Sequence, residues 1–270
     1  MPSARKKRKL HSASPDQPVK IEDSIPEILN AYQASLSDED QRQLGQLQQL
    51  DRLNSNGLSK FFPILWGEGA KEKYASLKQL GPALWNRPSE DEALALFNPQ
   101  KLWLTALRFP LDLPAQLSSD CEPNSAEKQL QESTTANSSL YDPRFCLWTF
   151  ASCLRTECVV NCRQFAESNC LGLALACTSA QDDTLRSLAY LVLSRFLLQL
   201  KSHQAGQDEG GFEQRSQFVF LLSFLKNSIA APNQRLPCVI SHFFLRLLGH
   251  SQGQFTNTIW GQSFFEGDGL

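Results

Sequence analysis

Long apolar runs are missing from this 270-residue sequence, and no stretch approaches the roughly 18 uninterrupted apolar residues of a membrane-spanning helix. The first ten residues, MPSARKKRKL, lack the apolar segment of a secretory signal. A net charge of −2 argues against a surface built throughout for polyanions and confines any nucleic-acid contact to a local patch. Histidine is scarce: there are four, His11, His203, His242 and His250, and none has a cysteine or serine at a spacing that reads as a catalytic pair. His242 borders an apolar helix face and reads as a structural or surface residue. No Gly-rich phosphate loop follows a strand, because GEGAK at Gly67–Lys71 lacks the strand and spacing of a P-loop. The expectation is an intracellular, soluble, non-enzymatic protein with no cofactor and no membrane contact.

The eight cysteines contain no CxxC pair, and those from Cys146 to Cys170 are 7, 5, 4 and 8 residues apart with no nearby histidine to complete a zinc spacing. Without a signal peptide they read as free thiols in a reduced compartment, packed as small hydrophobes.

What is abundant is helical periodicity. Leu185, Leu188, Ala189, Val192, Phe196, Leu197 and Leu200 form one wide apolar face. A second face reads Phe218, Leu221, Leu222, Leu225 and Ile229, and a third Leu236, Val239, Ile240, Phe243, Phe244, Leu247 and Leu248. Successive amphipathic helices without intervening strands predict an all-α protein, a HEAT/armadillo-like helical repeat stack. Cap residues punctuate it. Ser37 with Asp40, Ser89 with Glu92, Asn98 before Pro99, Asp142 before Pro143, Asn161 with Gln164, Asn169, and Asp182 or Asp183 each predict a helix start.

The organisation expected is a disordered basic tail over 1–24, an aromatic-rich helical region over 25–112, a polar linker or loop over 113–139, a helical repeat region over 140–250 and an irregular tail over 251–270. In the first of these, Arg5, Lys6, Lys7, Arg8 and Lys9 form a run of five cations on a flexible tail, suited to the acidic groove of a nuclear import receptor. A solubilising terminus or a phosphate-binding arm are the alternatives. Val19–Glu22 reads VKIE, the form recognised by SUMO-conjugating enzymes, which makes Lys20 a candidate acceptor, and Ser14-Pro15 has the proline-directed phosphorylation form.

Trp66, Trp85 and Trp103 with Lys71, Lys73, Lys78, Arg87 and Lys101 could build a base-stacking RNA surface. Glu68, Glu72, Glu90, Asp91 and Glu92 interleave with those cations and cancel the field such a site needs, so core packing is the better reading. Asp182-Asp183 reads as helix capping rather than a catalytic carboxylate pair.

Several blocks carry a resemblance. YDPRF at Tyr141–Phe145, FAESNCLGLALA at Phe165–Ala176, the AYLVLSRF and NQRLP segments, LWGEGAKEKY at Leu65–Tyr74 and FNPQKLWLTALRFP at Phe97–Pro110 together resemble the C-terminal region of the nucleolar pre-ribosomal-associated protein 1 family, with this chain similar to a partial or truncated member. The resemblance implies a long helical-repeat scaffold of the nucleus and nucleolus, acting in early large-ribosomal-subunit assembly. It implies support of precursor rRNA processing, pre-ribosomal assembly proteins as partners, and contact with precursor rRNA. It carries over no catalytic residue. A general helical adaptor is the rival reading, and an RNA-binding module a more distant one. After Gly249 the sequence ends in HSQGQFTNTIWGQSFFEGDGL, so the last helix is expected to expose Phe243, Phe244 or Leu247.

Overall fold

A computed structural model describes residues 21–53, 58, 61–79, 88–109, 139–202 and 212–251. Its regular elements are helices, joined at one point by an antiparallel bridge between Ser35 and Tyr141, and the all-α expectation holds. Helix α1 (Ile21–Ala31) begins inside the stretch expected to be a tail and buries Ile25 and Leu29, one turn apart. Helix α2 (Asp38–Leu53) starts where Ser37 and Asp40 predicted. The Ser37 hydroxyl accepts from the Asp40 amide at 3.2 Å, but the Asp40 carboxylate reaches further back. It accepts from the amides of Gln33 at 3.1 Å and Ser35 at 2.8 Å, and from the Ser35 hydroxyl. Those donors satisfy a carboxylate buried in the α1–α2 corner.

Gly67 and Gly69 take left-handed φ values of 82° and 87° ahead of α3 (Ala70–Gln79). The turn they make lets the Gly67 amide donate to Leu29 O at 2.9 Å and the Gly69 amide to Asn30 Oδ1 at 3.1 Å, tying α3 to α1. Ser89 and Glu92 form the complete capping box of α4 (Glu90–Ala95), and Asn98 caps α5 (Pro99–Leu107). Buried aromatics then join this half to the next. Trp66 packs at 4.5 Å from Phe97 and edge-on at 5.1 Å from Phe145, and Tyr32 meets Phe145 edge-on at 4.8 Å.

Asp142 accepts from the Arg144 amide to open α6 (Pro143–Cys153), and Asn161 does the same for Gln164 in α7 (Cys162–Glu167). Helix α8 (Cys170–Cys177), CLGLALAC, is buried on every side, the condition of a helix apolar all round. Asn169 starts it by another route than side-chain capping: its φ is 67° and its Nδ2 donates to Pro99 O at 3.1 Å, fastening α8 to the start of α5. Helices α5, α6, α7, α9 (Asp183–Ser202) and α11 (Cys238–Ser251) all pack on α8, while α9 also packs on α6 and on α10 (Arg215–Ser228). The end of α8 is closed by the segment leading into α11. Leu236 N donates to Thr178 O at 3.1 Å and Arg235 Nε to Ser179 O at 2.9 Å, which satisfies carbonyls that a helix end leaves open.

Candidate protein-interaction surface

Helices α9, α10 and α11 cover the core with one face each. On α9 the expected stripe is buried at Leu185, Ala189, Val192, Phe196, Leu197 and Leu200, with Leu188 half-buried. On α10, Phe218, Leu222 and Leu225 are buried while Leu221 and Ile229 pack partly against the core, again as expected.

Beyond these stripes α10 carries a second apolar face. Phe220 and Phe224 are one turn apart and 74% and 58% exposed. At 3.6 residues per turn they project away from the side that holds Phe218 and Leu222. The sequence reading missed them because it followed only the stripe that pattern placed inward.

The third stripe needs a correction. Val239 and Ile240 were expected on the buried face of the last helix, yet they are 80% and 41% exposed. The face that meets α8 is Ser241, Phe244 and Leu245 instead. A polar residue can sit there because the Ser241 hydroxyl lies 3.0 Å from that of Thr178, which caps the C-terminal end of α8. Of the residues expected to be exposed at this end, Phe243 is, Phe244 is buried, and the Leu247 side chain is outside the described residues.

The outer face of α10, with Phe220 and Phe224, is apolar rather than cationic. Arg215 Nε donates to Leu200 O at 2.8 Å, and Arg235 is held by Ser179, so both guanidinium groups serve the fold. An aromatic pair on a helix turn, with neighbouring arginines occupied by backbone carbonyls, suits an apolar protein helix better than a phosphate backbone.

The alternative base-stacking surface is not brought together among the described residues. Trp66 is buried, Lys101 lies over the Tyr141 ring at 4.3 Å, and Lys71 pairs with Glu27 at 2.9 Å. Trp103 is half-buried against the core. The Lys78 side chain, Trp85 and Arg87 lie outside the described residues. So do Arg5, Lys6, Lys7, Arg8, Lys9, Ser14 and Lys20. Asp182 accepts from the Thr184 amide at 2.9 Å, the capping role expected there, while Asp183 pairs with Arg186.

Cys146, Cys153, Cys170 and Cys177 are buried and free. Burial pushes the Cys170 thiol up to about 12 from an ordinary 9.0, the Ser168 hydrogen bond opposing the shift, and drives Cys146, Cys153 and Cys177 upward as well. One further correction concerns His242. It does have a cysteine partner: Cys238 Sγ is 3.2 Å from its Nδ1. The C-x-x-x-H spacing on one helix face was the signal that could have revealed it.

The family model described as nucleolar pre-ribosomal-associated protein 1 matches residues 171–251, essentially the stretch from α8 to the end of α11. The mouse protein named nucleolar pre-ribosomal-associated protein 1 is 35% identical over 222 residues, 81% of this chain. The human protein of the same name is 32% identical over 220 residues, again 81% of this chain. The chain spans only 9% of the length of either relative. No solved structure matches it.

Proposed function

The chain is a relative of the nucleolar pre-ribosomal-associated protein 1 family, and from that kinship we propose that it is a non-enzymatic helical scaffold of the nucleolus. Its place would be on precursors of the large ribosomal subunit, where it supports processing of precursor rRNA. The observation that carries this reading is the coincidence of two features in one stretch: residues 171–251, which match the family, also carry Phe220, Phe224, Val239 and Phe243 on exposed helix faces. The occupant of the α10 face is an amphipathic helix of a pre-ribosomal assembly protein, since apolar aromatics meet apolar residues. Entry to the nucleus is through an import receptor holding Arg5–Lys9.

The HEAT/armadillo-like stack belongs to the same proposal. Its support is that α8 packs on α5 before it and α11 after it, while α6 packs on α9, so described helices three apart along the chain adjoin one another, as stacked repeats of an α-solenoid do.

Gradient sedimentation of nucleolar extracts containing the tagged full chain tests the reading. The chain is expected to migrate with large-subunit precursors and to recover precursor rRNA. Migration only with free proteins would favour a general helical adaptor and overturn it.

A further inference from the structure

Cys238 is the first residue of α11 and His242 lies one turn on, so their side chains share a helix face. Sγ is 3.2 Å from Nδ1. The other ring nitrogen, Nε2, is 3.2 Å from the carbonyl oxygen of Leu107, the last residue of α5. Each ring nitrogen faces a carbonyl, Nε2 that of Leu107 and Nδ1 that of Cys238, so the hydrogen bonds allow two tautomers; in the one that donates Nε2–H to Leu107 O, Nδ1 presents a lone pair to the thiol. Nδ1 is also 3.0 Å from Cys238 O. That carbonyl can accept nothing from an unprotonated Nδ1. Once Nδ1 takes the thiol proton, Cys238 O becomes its acceptor, and both N–H groups of the imidazolium are hydrogen-bonded. The three parts of an activated nucleophile are therefore in place: a thiol, a base within hydrogen-bond reach, and a third group that orients the base.

Access separates this thiol from most others. Cys146, Cys153, Cys170 and Cys177 are buried, whereas Cys238 and His242 are half-buried. Cys158 is comparably accessible but faces the Glu90 carboxylate, and burial together with that neighbour pushes its thiol up to about 11. Cys162 is half-buried on α7.

We propose that Cys238 is a modification site of this chain, a thiol that takes soft alkylating electrophiles with His242 as its base. With iodoacetamide as the probe, the S–C bond forms as the C–I bond breaks, iodide leaves with the bonding pair, and the thiol proton passes to His242 Nδ1.

Timed labelling of the folded full chain with iodoacetamide, read by peptide mass spectrometry at each cysteine, tests this. Cys238 is expected to label roughly tenfold faster than Cys158 or Cys162, and the buried thiols only after denaturation. His242→Gln keeps an amide able to donate toward Leu107 O and removes the base. It is expected to slow Cys238 roughly tenfold while Cys158 and Cys162 keep their rates. The protected state of Cys146 and Cys170 in the same spectra reports that the variant is folded. A Cys238 rate no higher than that of Cys158 in the parent chain overturns the proposal with no variant needed. An unchanged Cys238 rate in a folded His242→Gln chain overturns it equally.

Discussion

A β-carbon on Gly172 of α8 would lie 2.7 Å from Leu245 Cδ1 of α11, and Leu245 is fully buried. The missing side chain at residue 172 is what lets α11 come down onto α8, because a buried leucine has little room to swing aside. Gly172→Ala is therefore expected to destabilise the chain by about 1–2 kcal/mol despite its gain in helix propensity. Urea melts with a midpoint at or above the parent's would contradict the close contact.

Core and surface positions on neighbouring helices should separate cleanly. Phe196 is fully buried with its ring 4.9 Å from that of Phe165, and Leu222 is 3% exposed. Phe196→Ala is expected to cost about 3–5 kcal/mol and Leu222→Ala about 2–5 kcal/mol. Phe220→Ser, on the outer face of α10, should stay within about 0.5 kcal/mol of the parent. Equal losses at Phe220 and Leu222 in the same denaturation series would reverse the assignment of the two faces.

Alkaline pH should weaken the fold. Burial raises the Cys170 thiol from 9.0 to about 12 and the Tyr74 phenol from 10.0 to about 12, the Tyr74 shift being opposed by its hydrogen bond with Leu65. Both groups stay neutral in the folded chain while their unfolded counterparts ionise. Their contribution is thus fully present below the unfolded values and is lost as pH rises through the window toward the folded ones. Melting temperatures measured at about pH 8 and about pH 10.5 should fall, and Cys170→Ala should flatten the fall. A constant melting temperature over that interval would disagree.

Nuclear entry should depend on the basic tail. Replacing Arg5, Lys6, Lys7, Arg8 and Lys9 by Ala, in a fusion large enough to stop passive diffusion, is expected to shift the protein toward the cytoplasm. Unchanged nucleolar accumulation would rule that address out.

Local signals in the sequence carried far because caps act over three or four residues. Ser89, Asn98, Asp142 and Asn161 each open the helix that their side chain announced. The inward faces of α9 and α10 were equally legible, since each has one wide stripe. In α11 apolar residues fill most positions, and periodicity could not choose among faces. The choice is made by the Thr178–Ser241 contact and by the space at Gly172, both tertiary facts. The start of α11 was misread for a related reason. The apolar face read from the sequence begins at Leu236, whereas Arg235 and Leu236 close the end of α8 and the helix begins at Cys238. The aromatic block was read correctly as core at Trp66, whose partners Phe97 and Phe145 are too distant along the chain for spacing to pair them.

The scaffold account stands or falls on the outer face of α10. The direct measurement compares the tagged chain with a Phe220→Asp, Phe224→Asp double variant, quantifying co-purified large-subunit precursor proteins and precursor rRNA from nucleoli. Both side chains are exposed, so the variant should melt like the parent while its recovery of precursor particles drops roughly tenfold or more. Full recovery by a folded double variant would contradict the account.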